Sequence, residues 1–170
     1  NFKTKKVFDI SQTTIKDMGR AEVKYDSRLL LKALINDAPC KFEIVPQVEG
    51  DARARYNPKE NTIYIQENIR AGDIFRALSQ ELAHAHLDTG DTTRSDNAYM
   101  AYSIAYVLCT KYGIETSDFT FNKIPERFAD YDTKAMRKEM NMIRTVVNDI
   151  TNDMSKVLDK QRSDKSKDAR

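Results

Sequence analysis

The chain has 170 residues, of which 40% are hydrophobic and 32% charged, with only 5 Gly and 4 Pro. This composition excludes collagen-like and low-complexity chains, and its apolar share is sufficient for a sizeable core. No apolar run reaches the ~20 residues of a membrane-spanning helix, so we expect no membrane partner. The formal net charge is +2, and residues 159–170, with five basic and three acidic side chains, account for it. The near-neutral remainder does not support a nucleic-acid partner.

No apolar stretch of the signal-peptide type follows the first six residues, which favours a cytoplasmic protein. Cys40 and Cys109 lack a CxxC-type spacing and lie in apolar stretches, as expected of two reduced core thiols. The sequence does not begin with Met, so we expect a piece of a longer protein. Whether an N-terminal domain precedes it stays open.

Local patterns predict the elements of the first half of the chain. A helix is predicted over residues 27–38, and alternating apolar side chains predict a strand within 40–48. Two further strands, 52–56 and 62–65, flank the sequence Asn-Pro-Lys-Glu-Asn at 57–61, which is typical of a hairpin turn.

Two helices are predicted next. The first begins after Gly72 with Asp73 as its cap and runs to about Leu87, with apolar residues at the 3.6-residue period. The second spans about 95–112 and ends at Gly113. It is apolar almost all round, which predicts a position in the middle of the domain.

A long final helix is predicted from about Thr133 to Arg162. Apolar residues recur along it at alternating spacings of four and three: Met136, Met140, Ile143, Val147, Ile150, Met154 and Val157. This heptad seam fits either a helix strapped along the domain or a dimeric coiled coil. We therefore expect a domain over 1–131, a packed long helix over 132–162 and a disordered charged tail over 163–170. The fold class is α+β with a small, mostly antiparallel sheet.

The segment Ser79–Asp88 is the one that suggests chemistry. On a helix, Gln80, His84 and Asp88 are four residues apart and share one face, with Glu81 beside them. Metalloproteases use H-E-x-x-H because histidines at i and i+4 bind one zinc while the Glu activates the bound water. Here Gln80 stands at the first histidine position, and E-x-x-H alone is unspecific.

A hairpin followed by such a helix is the local layout of zincin metallopeptidases, and a specific resemblance adds to it. The chain resembles the C-terminal metallopeptidase-like domain of ArdC-type antirestriction proteins, a family related to the ImmA/IrrE zincins and carried by plasmids and conjugative transposons. The resemblance covers about residues 7–160. Its motifs occur in order: VFDISQT at 7–13, YNPKENTI at 56–63, the helix 80–84, AYSIAYVLC at 101–109 and GIETSD at 113–118.

The resemblance implies a zincin-like fold whose metal site is degenerate. It makes Glu81 a vestigial general base and His84 a remaining ligand position. Gln80 stands where the family has a second His, and Tyr102 stands where the family has the third ligand, a Glu. Asp88, where the family often has a His, is a possible rescue ligand. With two of three ligands replaced, no cofactor is expected.

The chemistry of the replacements supports this expectation. Catalytic zinc takes three protein ligands and one open position, whereas Gln is a weak neutral ligand and tyrosine, with a pKa of ~10, is protonated at neutral pH. Without zinc, Glu81 has no acidified water to deprotonate. His84 and Asp88 could hold a metal with help from His86 or a distant carboxylate, but His86 lies roughly 200° round the helix from His84.

Structural roles compete with the functional ones. His84 can be a buried histidine bonded to Gln80 or Tyr102, and Glu81 can bond a backbone amide or Arg76. We expect Gln80, Glu81, His84 and Tyr102 to converge. Three tyrosines form a stripe on the helix predicted at about 95–112, and they can either pack in the core or form a row of ligand-binding side chains: Tyr99, Tyr102 and Tyr106.

These features predict a degenerate zincin-like protein of a mobile genetic element, which acts without catalysis as an antirestriction-type accessory or as a scaffold for a protein or peptide partner. The alternative is an active zinc metallopeptidase with a non-standard ligand set. A third hypothesis is a DNA-binding module that uses the basic tail, against which the neutral body argues. The sequence leaves the oligomeric state open.

Overall fold

The computed structural model describes residues 25–122 and 124–168. The segment Val7–Thr13, the most specific part of the family resemblance, lies outside the described residues. The described part is an α+β fold, as the sequence predicts. Its helices and strands, in chain order, are α1 (Ser27–Ile35), β1 (Lys41–Val45), β2 (Ala54–Asn57), β3 (Thr62–Gln66), α2 (Ala71–Leu87), α3 (Arg94–Tyr112) and α4 (Thr133–Asp168), with a 3-10 helix at Glu126–Asp130.

The sheet has the strand order β1-β3-β2. Strands β2 and β3 form the predicted antiparallel hairpin, in which Tyr56 lies opposite Ile63. Strand β1 pairs with β3 in parallel, with Phe42 opposite Ile63 from the other side. The sheet is therefore mixed, and the expected antiparallel pairing holds for the hairpin alone. The reason is topological, because β3 inserts between the two strands that precede it in sequence.

Helix α2 lies at the centre of the core. Its residues Phe75, Leu78 and Leu82 are at most 2% exposed and belong to one cluster with Ile63 of the sheet and Ile104 of α3. The helix begins at Ala71 with Arg70 at the N-cap, so the prediction of Asp73 as the cap is wrong. Asp73 lies in the first turn instead, where its carboxylate accepts a hydrogen bond from Arg70 Nε at 2.9 Å.

Helix α3 begins and ends close to the predicted positions. A capping box between Thr93 and Asp96 fixes its start, and Gly113 ends it with a φ of 69°, a left-handed conformation that suits glycine. The helix is buried on one side only, since Tyr106 and Val107 are 37% and 39% exposed. The apolar pattern thus overstated its burial.

Helix α4 packs on the domain through the second half of its apolar seam. Val147, Ile150 and Met154 belong to the same core cluster as α1 and α3, and Met154 is fully buried. Met140, nearer the start of the helix, is 48% exposed. The helix continues to Asp168, past the expected end at Arg162. None of the helices in the described ranges is both long enough and apolar enough to cross a membrane.

The packing of α4 gives a matched pair of methionine substitutions. Met154→Ala should lower the free energy of unfolding by about 2–5 kcal/mol, because it leaves a cavity in the core. Met140→Ala, on an exposed position of the same helix, should change it by less than about 0.5 kcal/mol. Urea denaturation of both variants measures the difference. Equal effects would show that the second half of α4 does not pack on the domain as described.

Candidate functional site

Helix α2 buries two ionisable side chains one turn apart. Glu81 and His84 are each 4% exposed. At positions i and i+3 they lie on the same face of the helix, the face toward β2 and the start of α3. A buried carboxylate is costly unless a cation and hydrogen-bond donors compensate it, so the partners of Glu81 decide what this site can do.

Arg94 is the cation that compensates Glu81. Its guanidinium donates from Nη1 to Oε2 at 2.7 Å and from Nη2 to Oε1, a two-pronged ion pair. The backbone N–H of Tyr56 donates to Oε2 at 2.8 Å. Glu81 therefore bonds a backbone amide, one of its two anticipated structural partners. The other anticipated partner, Arg76, pairs with Asp118 at 2.6 Å instead.

The loop between α2 and α3 positions Arg94. The buried Asn97 donates from Nδ2 to the Leu87 carbonyl at 3.1 Å and to Thr92 Oγ1 at 2.9 Å, which ties the start of α3 to the end of α2. Thr93 is the N-cap, so Arg94 is the first residue of the helix. Reasoning from the sequence missed Arg94. The Thr-x-x-Asp capping pattern at 93–96 was the available signal, because it places residue 94 in a first turn that follows the Glu81 helix closely.

His84 is a neutral imidazole in this setting. Its pKa is lowered to about 4, first by burial and next by the nearby positive charge of Arg94, while the negative charge of Glu81 partly opposes both. Within residues 25–122 and 124–168 the imidazole forms no hydrogen bond, so the anticipated bonds to Gln80 or Tyr102 are not made. It lines a cavity of about 90 Å³.

The two possible rescue ligands have other partners. Asp88 caps the end of α2 by accepting from the Gly90 N–H at 2.9 Å, and it accepts from the Tyr56 hydroxyl at 3.3 Å. Burial, and next the charge of Asp88, raise the pKa of Tyr56. Burial lowers the pKa of His86, while Asp149 and Asp153 of α4 oppose that shift. His86 thus has its charged neighbours on α4, as its angular offset from His84 predicts.

Gln80 and Tyr102 line a separate, larger cavity of about 540 Å³ between α2, α3 and residues 120, 121 and 125. The hydroxyl oxygen of Tyr102 accepts from the Thr120 N–H at 2.7 Å. Its ring centroid lies 5.0 Å from that of Phe119 and 5.3 Å from that of Phe121. The structure therefore groups the four residues as two pairs, with Glu81 and His84 at one place and Gln80 and Tyr102 lining the neighbouring cavity.

The tyrosine stripe of α3 packs against the segment that follows the helix. The ring of Tyr99 contacts Phe121 and Phe128, and the ring of Tyr106 contacts Phe119 and Phe121, with centroids 5.2–6.2 Å apart. These contacts form an aromatic layer near the surface, outside the central core of α2.

The donors at this place do not fit a catalytic zinc. Both carboxylate oxygens of Glu81 are held by a guanidinium, and the same fixed positive charge acts on His84. A divalent cation would have to approach against that charge. Among the described residues, no group of three or more His, Cys, Asp or Glu side chains is placed to hold a metal ion, whereas catalytic zinc takes three protein ligands.

Comparisons of the chain with protein-family models, with curated proteins and with solved structures found no match. The resemblance to ArdC-type proteins therefore depends on the sequence motifs. The zincin-like assignment of the fold is a proposal on the same basis.

The Glu81–Arg94 pair predicts a large and non-additive effect on stability. Arg94→Met should lower the free energy of unfolding by about 3 kcal/mol, since it leaves a buried carboxylate without its cation. Combining it with Glu81→Gln removes both charges, so the double variant should lose less than the sum of the single losses. Urea denaturation of the four proteins measures this coupling. Asp118→Asn, which breaks an exposed ion pair, is the control and should cost at most about 1 kcal/mol.

A loss for Arg94→Met no larger than that of the Asp118 control would contradict a buried, compensated carboxylate. Additive losses in the double variant would show that the two charges do not interact.

His84 predicts acid sensitivity in a defined pH window. Between pH 6.5 and about 4 the unfolded imidazole binds a proton and the folded one does not, so stability falls as the pH falls. The slope from this group should approach about 1.4 kcal/mol per pH unit. His84→Gln should remove that component and flatten the profile. Urea denaturation at pH steps through the window tests this, and parallel profiles for the two proteins would contradict a depressed pKa.

Proposed function

We propose that this chain is a degenerate zincin-like protein that acts without catalysis, as an antirestriction-type accessory or protein-binding scaffold of a mobile genetic element. The observation that carries the non-catalytic part is the Glu81–Arg94 ion pair, because it places a guanidinium on the only carboxylate that the family pattern would make the general base. The family resemblance supplies the biological setting, including a cytoplasmic location.

A guanidinium cannot replace a metal in hydrolysis. Zinc lowers the pKa of a bound water and presents it to the general base, whereas a guanidinium has hydrogen-bond donors and no position for a water ligand. Nor does a guanidinium serve as a general base in place of a carboxylate. Both carboxylate oxygens of Glu81 accept hydrogen bonds, and Glu81 thereby has a structural role: it connects α2 with β2 and α3.

What the arrangement supports is binding. Gln80 and Ser95, which adjoin Glu81 and Arg94 in sequence, line a cavity with aromatic walls, which is the kind of site that takes a side chain or a small ligand. A protein or peptide partner fits this better than nucleic acid, because the chain outside residues 159–170 has no net positive charge. The alternative of an active zinc metallopeptidase is weaker, since Asp88, its best rescue ligand, is already bonded to Tyr56 and Gly90.

Metal content tests the proposal directly. Elemental analysis of protein purified without chelator or affinity metal should find far less than one zinc per chain, because three suitable ligands are lacking. A stoichiometric, tightly held zinc would overturn the non-catalytic function.

Rebuilding the ligand set provides a sharper test. Gln80→His with Tyr102→Glu supplies the two ligands that the family pattern has and this chain lacks, but the charge of Arg94 still opposes a cation. We therefore expect calorimetric zinc titration to show weak binding in this double variant and a steep rise in affinity once Arg94→Ala is added. The single Arg94→Ala variant is the matched control and should bind weakly. Equal weak binding in all variants would mean that positions 80, 84 and 102 do not share one ion site.

A further inference from the structure

Three aromatic rings at steep angles to one another line the 540 Å³ cavity. The ring of Phe121 is inclined by 80° to that of Tyr99 and by 63° to that of Tyr102, with centroids 6.2 Å and 5.3 Å away. The ring of Phe121 contacts the other two edge to face, and all three line the cavity. An aromatic face attracts a cation through its quadrupole, and groups of aromatic rings recognise ammonium ligands in this way.

The polar groups of the cavity also favour a cation. The carboxamide of Gln80 is partly exposed and forms no hydrogen bond within the described ranges, so its carbonyl oxygen can accept one from a ligand. Asp96, also at the wall, carries a formal negative charge, although it already bonds Thr93 in the capping box. No Lys or Arg side chain is among the described residues that line the cavity.

Arg94, the basic residue next to the cavity lining in sequence, does not make the cavity unfavourable for a cation. Arg94 precedes the lining residue Ser95, but its guanidinium is paired with both oxygens of Glu81 and contributes no net charge. Asp96 likewise offsets the positive end of the α3 dipole. A neutral apolar ligand would fill the space and leave the Gln80 amide without a partner, whereas an ammonium group would use both the rings and the carbonyl oxygen.

We propose that this cavity binds a lysine side chain of a protein partner, with the ammonium group held in the cavity against the rings of Tyr99, Tyr102 and Phe121 and bonded to the Gln80 carbonyl. The volume lies within the usual range for ligand sites and admits the whole side chain. A lysine site here presupposes the proposed non-catalytic function, because a metal coordinated at position 80 would take the place of the ammonium group.

The test is an NMR titration of the full, ¹⁵N-labelled chain with three small probes. These are the N-acetyl methylamides of lysine, of Nε-trimethyl-lysine and of norleucine, which has a neutral side chain in place of the ammonium. The two cationic probes should shift the backbone amide signals of Gln80, Ser95 and Thr120, and norleucine should bind at least tenfold more weakly. Equal binding of norleucine, or no shift with any probe at tens of millimolar, would overturn the proposal.

Charge substitutions at position 80 provide the second arm. Gln80→Glu should tighten the lysine probe several-fold, and Gln80→Lys, nearly matched in length, should abolish its binding. Both residues are good helix formers and the site is partly exposed, so the fold should persist. Phe121→Leu should weaken binding, while Ile44→Ala, exposed on β1 and outside the cavity wall, should leave it unchanged. Identical affinities for the two position-80 variants would overturn the proposal.

The outcomes separate this site from the proposed function. Failure of the lysine probe to bind a protein that contains no zinc would overturn the lysine site alone. Stoichiometric zinc in the same preparation would overturn both.

Discussion

A carboxylate buried between three elements needs a fixed cation, and much of this structure follows from how Glu81 obtains one. The charge lies on the central helix, where it contacts the backbone of β2 and the first residue of α3. Without Arg94 the carboxylate would have one backbone donor and no countercharge, which a buried position does not tolerate. The capping box at Thr93 and the hydrogen bonds of Asn97 to the loop fix the start of α3, and they thereby position the Arg94 guanidinium next to Glu81.

The choice of an arginine as that cation has chemical consequences. A guanidinium satisfies a carboxylate with two parallel bonds and leaves no place for a reactive water, so the pair gives rigidity without a nucleophile. Its charge also helps keep His84 neutral, next to burial as the main cause. In the proposed degenerate site, Arg94 thus links α2 and α3 as a shared metal ion would, and the protein need not depend on metal for its fold.

Patterns within one element or one hairpin were predictable from the sequence. The turn at 57–61, the bounds of α2 near Leu87 and of α3 at Gly113, and the long last helix all match local rules of periodicity and turn chemistry. The parallel pairing of β1 with β3 was not, because it depends on which strand inserts between two others. The role of Arg94 as the partner of Glu81 was not predicted for a related reason. It meets Glu81 across a loop, and helical spacing rules describe only neighbours on the same helix.

The contacts of Tyr102 bear on why the four residues that we expected to converge lie as two pairs. A carboxylate there could point at a metal, but a tyrosine has a ring to pack and a hydroxyl to satisfy, and both find partners in the segment after α3. Through the Thr120 bond, Tyr102 holds that segment against the helix, and Phe121 becomes a wall of the cavity that Gln80 also lines. The two residues that depart from the zincin ligand pattern, Gln80 and Tyr102, thus both line the aromatic cavity. In the proposed function, the loss of the metal site and the gain of a binding site are two results of the same substitutions.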